Sequence, residues 1–359
     1  MKKKIGHLRY VVLLFMIVIL GGMIFLAIKG SDRTDPKDTV SMDSEKDKDE
    51  SIIDAEIKET TKEDMVEIPE ITTGTEEFVI FGVDTRGNNL GKGTRSDSIM
   101  IVAVNHETKE IRLASIFRDC YVEIEGHGMD KINHAHSFGG PDLALQTVNR
   151  NFDLNLEKYI TVNFIKVSEL VDDIGGIEMD ITEEETRYIN GYIDEINSIE
   201  GKNSPHITEP GVYQLDGVQA VAYTRIRYTA GGDYKRAERQ RTILFKIFDK
   251  AKELESASLI NLVEKFMNEI NTNYRTDEVV DMLYYLSKYN ITDSKAYPTK
   301  LWGGKVDGIW YGVPVTLESN TTELHEYLYP EKDYTVSDTV LGISKQMEQV
   351  ADIPNEILD

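Results

Sequence analysis

Phe78-Val79-Ile80-Phe81-Gly82-Val83 is a short, unbroken apolar run that ends at Asp84-Thr85-Arg86. The run has the length of a strand. Its lack of polar alternation predicts a strand covered on both faces, as in the middle of a layered sheet. Downstream, Ile99 to Val104 and Ile111 to Ile116 are β-rich runs separated by Asn105-His106-Glu107-Thr108-Lys109-Glu110, which reads as a hairpin. Pro141 opens a helix through Leu143, Leu145 and Val148. Tyr159 to Phe164 reads as a further strand. Val167 to Ile174 reads as a helix stopped by Gly175-Gly176, and Ile177 to Ile181 as a strand. Strands interleave with helices, so the class is α/β, and the hairpin makes the sheet mixed. Thr182 to Glu209 shows no periodic pattern. Arg236 to Leu254, Leu259 to Ile270 and Thr276 to Tyr289 are amphipathic helix candidates.

Outward from this region the composition changes. Lys2, Lys3, Lys4, His7 and Arg9 precede an uncharged apolar stretch over 11–28. Its ~18 residues reach the lower limit for crossing a bilayer, and no small-residue cleavage pattern follows. The expectation is an uncleaved single-span anchor, with residues 1–10 cytoplasmic and the rest of the chain outside. Residues 29–74 are acidic and free of aromatics, including Asp43-Ser44-Glu45-Lys46-Asp47-Lys48-Asp49-Glu50. Such a segment cannot bury enough apolar surface to offset its ordering entropy, so it reads as a flexible stalk. Residues 75–330 form the globular domain, and 331–359 read as an acidic tail.

The 359 residues carry 63 Asp and Glu against 40 Lys and Arg, a net charge of −23, which argues against a nucleic-acid partner. The single cysteine, Cys120, excludes a disulfide framework and a Cys-rich zinc module. The residues able to do chemistry sit at element ends. Asp84 follows the first strand and Asp97 opens the second. A loop with Gly87, Gly91 and Gly93 joins them. Paired carboxylates at strand ends suit Mg²⁺, which shares its shell with waters and substrate phosphates; each could instead cap a turn. Arg118 is placed to clamp a phosphate in fork geometry, or to pair with Asp119. Five arginines fall within Arg225–Arg241 of an otherwise acidic chain. If Arg225 and Arg227 serve one anion, their helix must end near Arg225, because residues two apart on a helix diverge. Asp233 is a natural N-cap for the next helix, on which Arg236, Arg239 and Gln240 share a face. The alternative is a solvated basic face paired with Glu238. His134 and His136 suggest a metal, but no third ligand is evident.

Taken in order, Gly82-Val83-Asp84-Thr85-Arg86, Arg95-Ser96-Asp97-Ser98-Ile99-Met100, Ser115-Ile116-Phe117-Arg118-Asp119, Lys131-Ile132-Asn133-His134-Ala135 with Phe138-Gly139-Gly140, Asp173-Ile174-Gly175-Gly176-Ile177 and Leu215-Asp216-Gly217 through Arg239-Gln240 resemble the LytR-CpsA-Psr family. The resemblance covers about Glu77 to Asp249. It departs at Phe117, where proline is usual, at Ser98, where threonine is common, and at Cys120, where a small hydroxyl residue is usual. It implies an α/β/α sandwich behind a transmembrane helix. It also implies a phosphotransferase that moves a glycopolymer from a polyprenyl-pyrophosphate lipid onto peptidoglycan through a phosphodiester. By residue match, Asp84 and Asp97 would hold Mg²⁺ (or Mn²⁺). Arg86, Arg118, Arg225, Arg227, Arg236 and Gln240 would bind the pyrophosphate, and Asp233 would orient that set. Asp97, Arg118 and Asp233 would be the catalytic residues, with Asp97 as the candidate base. A non-catalytic polyprenyl-phosphate-binding regulator and a pyrophosphatase that releases the phosphorylated polymer remain the alternatives.

Overall fold

The computed structural model describes residues 74–83, 85, 89–229, 232–254, 256–275 and 289–350. The expected anchor and nearly all of the expected stalk lie outside these residues, as do the helix expected from Thr276 and the side chains of Asp84, Arg86 and Asp233. No helix among the described residues is long and apolar enough to cross a membrane.

The opening run is strand β1 (Thr75–Val83), in the interior of a six-stranded sheet. Phe78 and Ile80 enter one core while Val79 and Phe81 enter another, all with 0% exposure. Successive side chains of a strand point to opposite faces, so a run apolar at every position needs a layer on each side. β1 pairs antiparallel with β2 (Ser96–Asn105), and β2 pairs antiparallel with β3 (Glu110–Ile116). The Asn105 side chain closes this hairpin by accepting the N–H groups of Glu107 and Thr108 at 2.9 and 3.0 Å. Next come a small hairpin, β4 (Tyr121–Ile124) and β5 (Gly128–Lys131), and helix α1 (Ile132–Phe152). The helix predicted to open at Pro141 is the second half of α1. Gly140 interrupts it with φ 73°, a left-handed value, and Pro141 restarts it.

β6 (Lys158–Asn163) runs parallel to β1 on its other side, and α2 (Phe164–Asp173) follows, capped by the Asn163 side chain. β7 (Ile177–Ile181) leads into α3 (Glu183–Glu200). α3 occupies the stretch read as patternless. Its signal is a capping box: Thr182 accepts from Glu185 N–H, and the Glu185 carboxylate accepts from Thr182 N–H. Ile189, Ile193 and Ile196 then recur at helical spacing and are fully buried. β8 (Gly211–Leu215) pairs with β7, and α4 (Gly217–Thr224), α5 (Gly232–Lys252) and α6 (Ser256–Met267) complete this layer. Gly217 lets α4 lie against α2. A Cβ there would come within 1.9 Å of Ser168 O.

The sheet closes with β9 (Asn271–Thr272) beside β6 and β10 (Asn290–Tyr297), parallel to β3, giving the order β10-β3-β2-β1-β6-β9. The hairpin β11 (Leu301–Val306) and β12 (Ile309–Pro314) and helices α7 (Leu317–Leu328) and α8 (Asp338–Val350) join the second core with α1. Mixed pairing around β1 and separate cores on the two faces agree with the expected mixed α/β class. The packed region runs past residue 330: Val340, Ile343 and Met347 of α8 are at most 2% exposed, within the stretch read as an acidic tail.

Candidate active site

At the end of the β1–β2 pair, Gly82 faces Ser98 but Val83 faces Ser96. Asp97 is therefore the extra residue of a β-bulge, a device that bends a strand and re-aims one side chain. Asp97 is 2% exposed. Val83, which it adjoins across the ladder, is the residue before Asp84. Burial pushes the Asp97 carboxyl up to about 7, against the opposing pull of Arg118, the Asn133 hydrogen bond and Arg95. Its Oδ1 accepts from Asn133 Nδ2 at 2.5 Å and lies 3.3 Å from Arg118 Nη1.

Arg118 follows β3 and is 5% exposed. Its Nε donates to Asp119 Oδ2 at 3.2 Å, and Lys131 Nζ donates to Asp119 Oδ1 at 2.8 Å. Burial alone would raise the Asp119 carboxyl, but Arg118, Lys131 and Arg236 hold it below the ordinary aspartate value. Arg118 thus pairs with Asp119 and also lines the pocket that Asp97 enters. Asp97, Ser98, Arg118, Arg236 and Gln240 line one pocket with Ser115 and Phe117. Arg236 and Gln240 are 5% and 1% exposed, so they are not a solvated face; Glu238 pairs with Lys235 instead.

The remaining arginines divide by role. Arg225 caps α4 at its C-terminal end, where the helix would have to stop for Arg225 and Arg227 to serve one anion. Its Nη2 reaches both carboxylate oxygens of Glu195 at 3.0 Å, and its guanidinium lies 5.2 Å from the Tyr192 ring centre. Arg227 is also close enough to Tyr192 to act on its hydroxyl electrostatically. Neither is among the residues lining the Asp97 pocket. Arg239 is bound into the fold: Nε to Glu185 Oε1 at 2.9 Å, Nη1 to Ile226 O at 3.0 Å and Nη2 to Thr229 Oγ1 at 2.9 Å. Glu185 and Glu195 went unnoticed in the sequence because their helix did. Asn133, Asp119 and Lys131 carry no spacing rule that ties them to Asp97; only the fold does.

The two histidines turn elsewhere. His136 is fully buried with Nδ1 2.8 Å from Thr94 O, and burial pushes it down to about 4, so it is neutral. His134 Nδ1 lies 2.8 Å from Asp130. Among the described residues no group of three or more His, Cys, Asp or Glu is arranged for a metal. Mg²⁺ needs fewer protein ligands, because waters and phosphates fill its shell. Asp97 Oδ2 suits it: this oxygen is buried and has no hydrogen-bond partner among the described residues.

The sequence profile of the LytR_cpsA_psr family matches residues 39–326. The chain is 30% identical over 315 residues to the polyisoprenyl-teichoic acid–peptidoglycan teichoic acid transferase TagU of Bacillus mycoides, covering 87% of this chain and 92% of that protein. It is 32% identical over 238 residues to the protein of the same name from Bacillus cereus, covering 65% of this chain and 72% of that one. Among solved structures, the fold matches the LytR-CPS2A-psr family protein YwtF (TagT) with bound octaprenyl pyrophosphate lipid. The TM-score is 0.54 at 24% identity, over 72% of this chain and 91% of that one. Profile, relatives and fold agree with the six ordered motifs: the chain belongs to the LytR_cpsA_psr family.

Proposed function

We propose that this protein transfers a glycopolymer from a polyprenyl-pyrophosphate lipid to a peptidoglycan hydroxyl, leaving a phosphodiester. The observation that carries this reading is the pocket at the β1–β2 bulge, where Asp97, Arg118, Arg236 and Gln240 converge at 5% exposure or less. Phosphoryl transfer asks the protein for positioning and for fixed positive charge on the phosphoryl oxygens, and such a pocket offers both. The names of the relatives supply the substrate class.

In this reading Arg118, Arg236 and Gln240 hold pyrophosphate oxygens, and Arg86, Arg225 and Arg227 extend the clamp. Asp233 orients that set. The acceptor oxygen bonds to the phosphorus that carries the polymer. The bond from that phosphorus to the bridging oxygen breaks, and polyprenyl phosphate leaves with its charge held by the arginines. The free oxygen of Asp97, Oδ2, serves as the base for the acceptor proton, a task suited to a carboxyl pushed up to about 7, only while no cation occupies it. Mg²⁺ or Mn²⁺, held by Asp97 and Asp84, would supply charge neutralisation on the pyrophosphate. The same reading puts the apolar stretch 11–28 in the cell membrane as a single span with the catalytic domain outside, where peptidoglycan and the lipid donor meet. The lysines and arginine before the stretch support that orientation.

Reconstitution of the full-length protein with a defined lipid-linked donor and peptidoglycan oligomers tests the proposal. The expected product is a polymer–peptidoglycan adduct. Free phosphorylated polymer would mark a pyrophosphatase, and donor binding without product would mark a regulator.

A further inference from the structure

The first turn of α1 is tied to the loop that carries Arg118. Ile132 N–H donates to Cys120 O at 2.9 Å, and Asn133 N–H donates to Arg118 O at 3.2 Å. From this turn the Asn133 side chain, 3% exposed, reaches Asp97. An ionised carboxylate only accepts hydrogen bonds, so the amide must present its NH₂ group to Asp97 Oδ1 and turn its oxygen away. Asp97 Oδ1 then accepts from Asn133 and is ion-paired with Arg118, while Oδ2 has no hydrogen-bond partner among the described residues. The carboxylate is locked through one oxygen and offers the other.

Arg118 is poorly suited to do this alone. Its contact to Asp97 is 3.3 Å, and its Nε is held by Asp119, which Lys131 holds in turn. Asn133 makes the shorter bond, and its own backbone is fixed to the Arg118 loop. We propose that Asn133 is a positioning residue that fixes the Asp97 carboxylate so that Oδ2 is the oxygen presented to a divalent cation. This rests on the reading of Asp97 as a cation ligand. Partners that orient a ligand from behind typically change metal affinity or activity by roughly 10–100-fold when removed.

The test uses the full-length protein in detergent with Mn²⁺ alone as the probe, free Mn²⁺ being followed by electron paramagnetic resonance. Asn133→Ala should weaken Mn²⁺ binding by roughly 10–100-fold. Turnover in the reconstituted assay should fall in kcat with the donor KM unchanged. Asn133→Ser, whose hydroxyl is too short to reach Asp97, should show the same loss and guards against a misfolded alanine variant. Thr147→Ala is the control: Thr147 is buried on the same helix and its hydroxyl bonds Leu143 O at 2.7 Å. It should leave Mn²⁺ affinity unchanged even if it lowers the melting temperature. Unchanged Mn²⁺ affinity in both Asn133 variants overturns the positioning role, and so does an equal loss in Thr147→Ala. A native protein that binds no Mn²⁺ overturns the cation reading of Asp97 itself, and the positioning role with it.

Discussion

Arg239→Met would remove a guanidinium that is 6% exposed and makes hydrogen bonds to Glu185, Ile226 O and Thr229. Methionine keeps most of the side chain's volume, so the loss is chiefly electrostatic. It leaves the Glu185 side chain, 8% exposed, with Thr182 of the capping box and the Tyr223 hydroxyl as hydrogen-bond partners and no countercharge from Arg239. Breaking one side of a buried ion pair costs about 3–5 kcal/mol, because the other charge stays desolvated. At roughly 2–4 °C per kcal/mol for a domain of this size, the melting temperature should fall by roughly 6–20 °C. Thermal melts by circular dichroism, without donor, give the number. Arg239→Met combined with Glu185→Gln should recover more than half of the loss, since glutamine keeps an oxygen for Thr182 N–H and carries no charge. The pH dependence has a defined sign. Burial pushes the Glu185 carboxyl up, but its bonds to Thr182 and Arg239 outweigh this and hold it below the ordinary glutamate value. A depressed acid stabilises above its unfolded pKa, and the stability is lost as pH falls through the folded value. The gap between native and Arg239→Met should therefore narrow in acid. A shift under about 2 °C at neutral pH, against the range expected for a broken buried pair, would refute the assignment of Arg239 to the fold.

Arg236→Met should behave in the opposite way, weakening binding of a lipid pyrophosphate by about 1.5–3 kcal/mol with a small change in the melt, as read by calorimetric titration. Asp97→Asn should abolish polymer transfer. Because Asp97 is raised to about 7, the cation-free native protein should lose stability as pH climbs from the ordinary aspartate range through 7, and Asp97→Asn should not; parallel slopes in pH-dependent melts would contradict this. Gly217→Ala should destabilise by about 1–3 kcal/mol, because its Cβ would meet the Ser168 backbone carbonyl at 1.9 Å, and urea titration would measure it. Chelation by EDTA should stop adduct formation and Mn²⁺ should restore it; full turnover after chelation would remove the metal from the reaction.

What was legible in the sequence was whatever has a short period or a local cap. β1, the β2–β3 hairpin and β7 stand out because alternation or continuous apolarity is decided within a few residues. The end of α4 at Arg225 was expected only on the condition that Arg225 and Arg227 serve one anion. α3 was legible but missed: Thr182 and Glu185 form its capping box, yet the many polar residues between the isoleucines hid the stripe. β10 was not legible, because a strand whose only apolar residues are Ile291, Ala296 and Tyr297 gains its identity from the neighbour it meets, β3. The candidate site divides in the same way. Asp97 and Arg118 announce themselves as polar residues at strand ends. Their union with Asn133, 36 residues beyond Asp97, and with Arg236 and Gln240, more than a hundred residues beyond Arg118, is one about which local pattern carries no information.

The late partners of β3 and its loop set an order of assembly for the chain as it is made. Until residues 290–297 emerge, the outer edge of β3 has no ladder. Until Gly312 emerges, the carbonyl of Asp119 lacks the N–H that it accepts at 2.9 Å. A nascent chain that has completed every arginine through Arg241 still carries an open sheet edge and an Arg118–Asp119 loop without its backbone tether to Gly312. Open edges recruit other strands, and contacts across such long sequence separations form slowly. Residues 290–312 therefore work as a clasp, and competence arrives with them rather than with the last residue of the pocket.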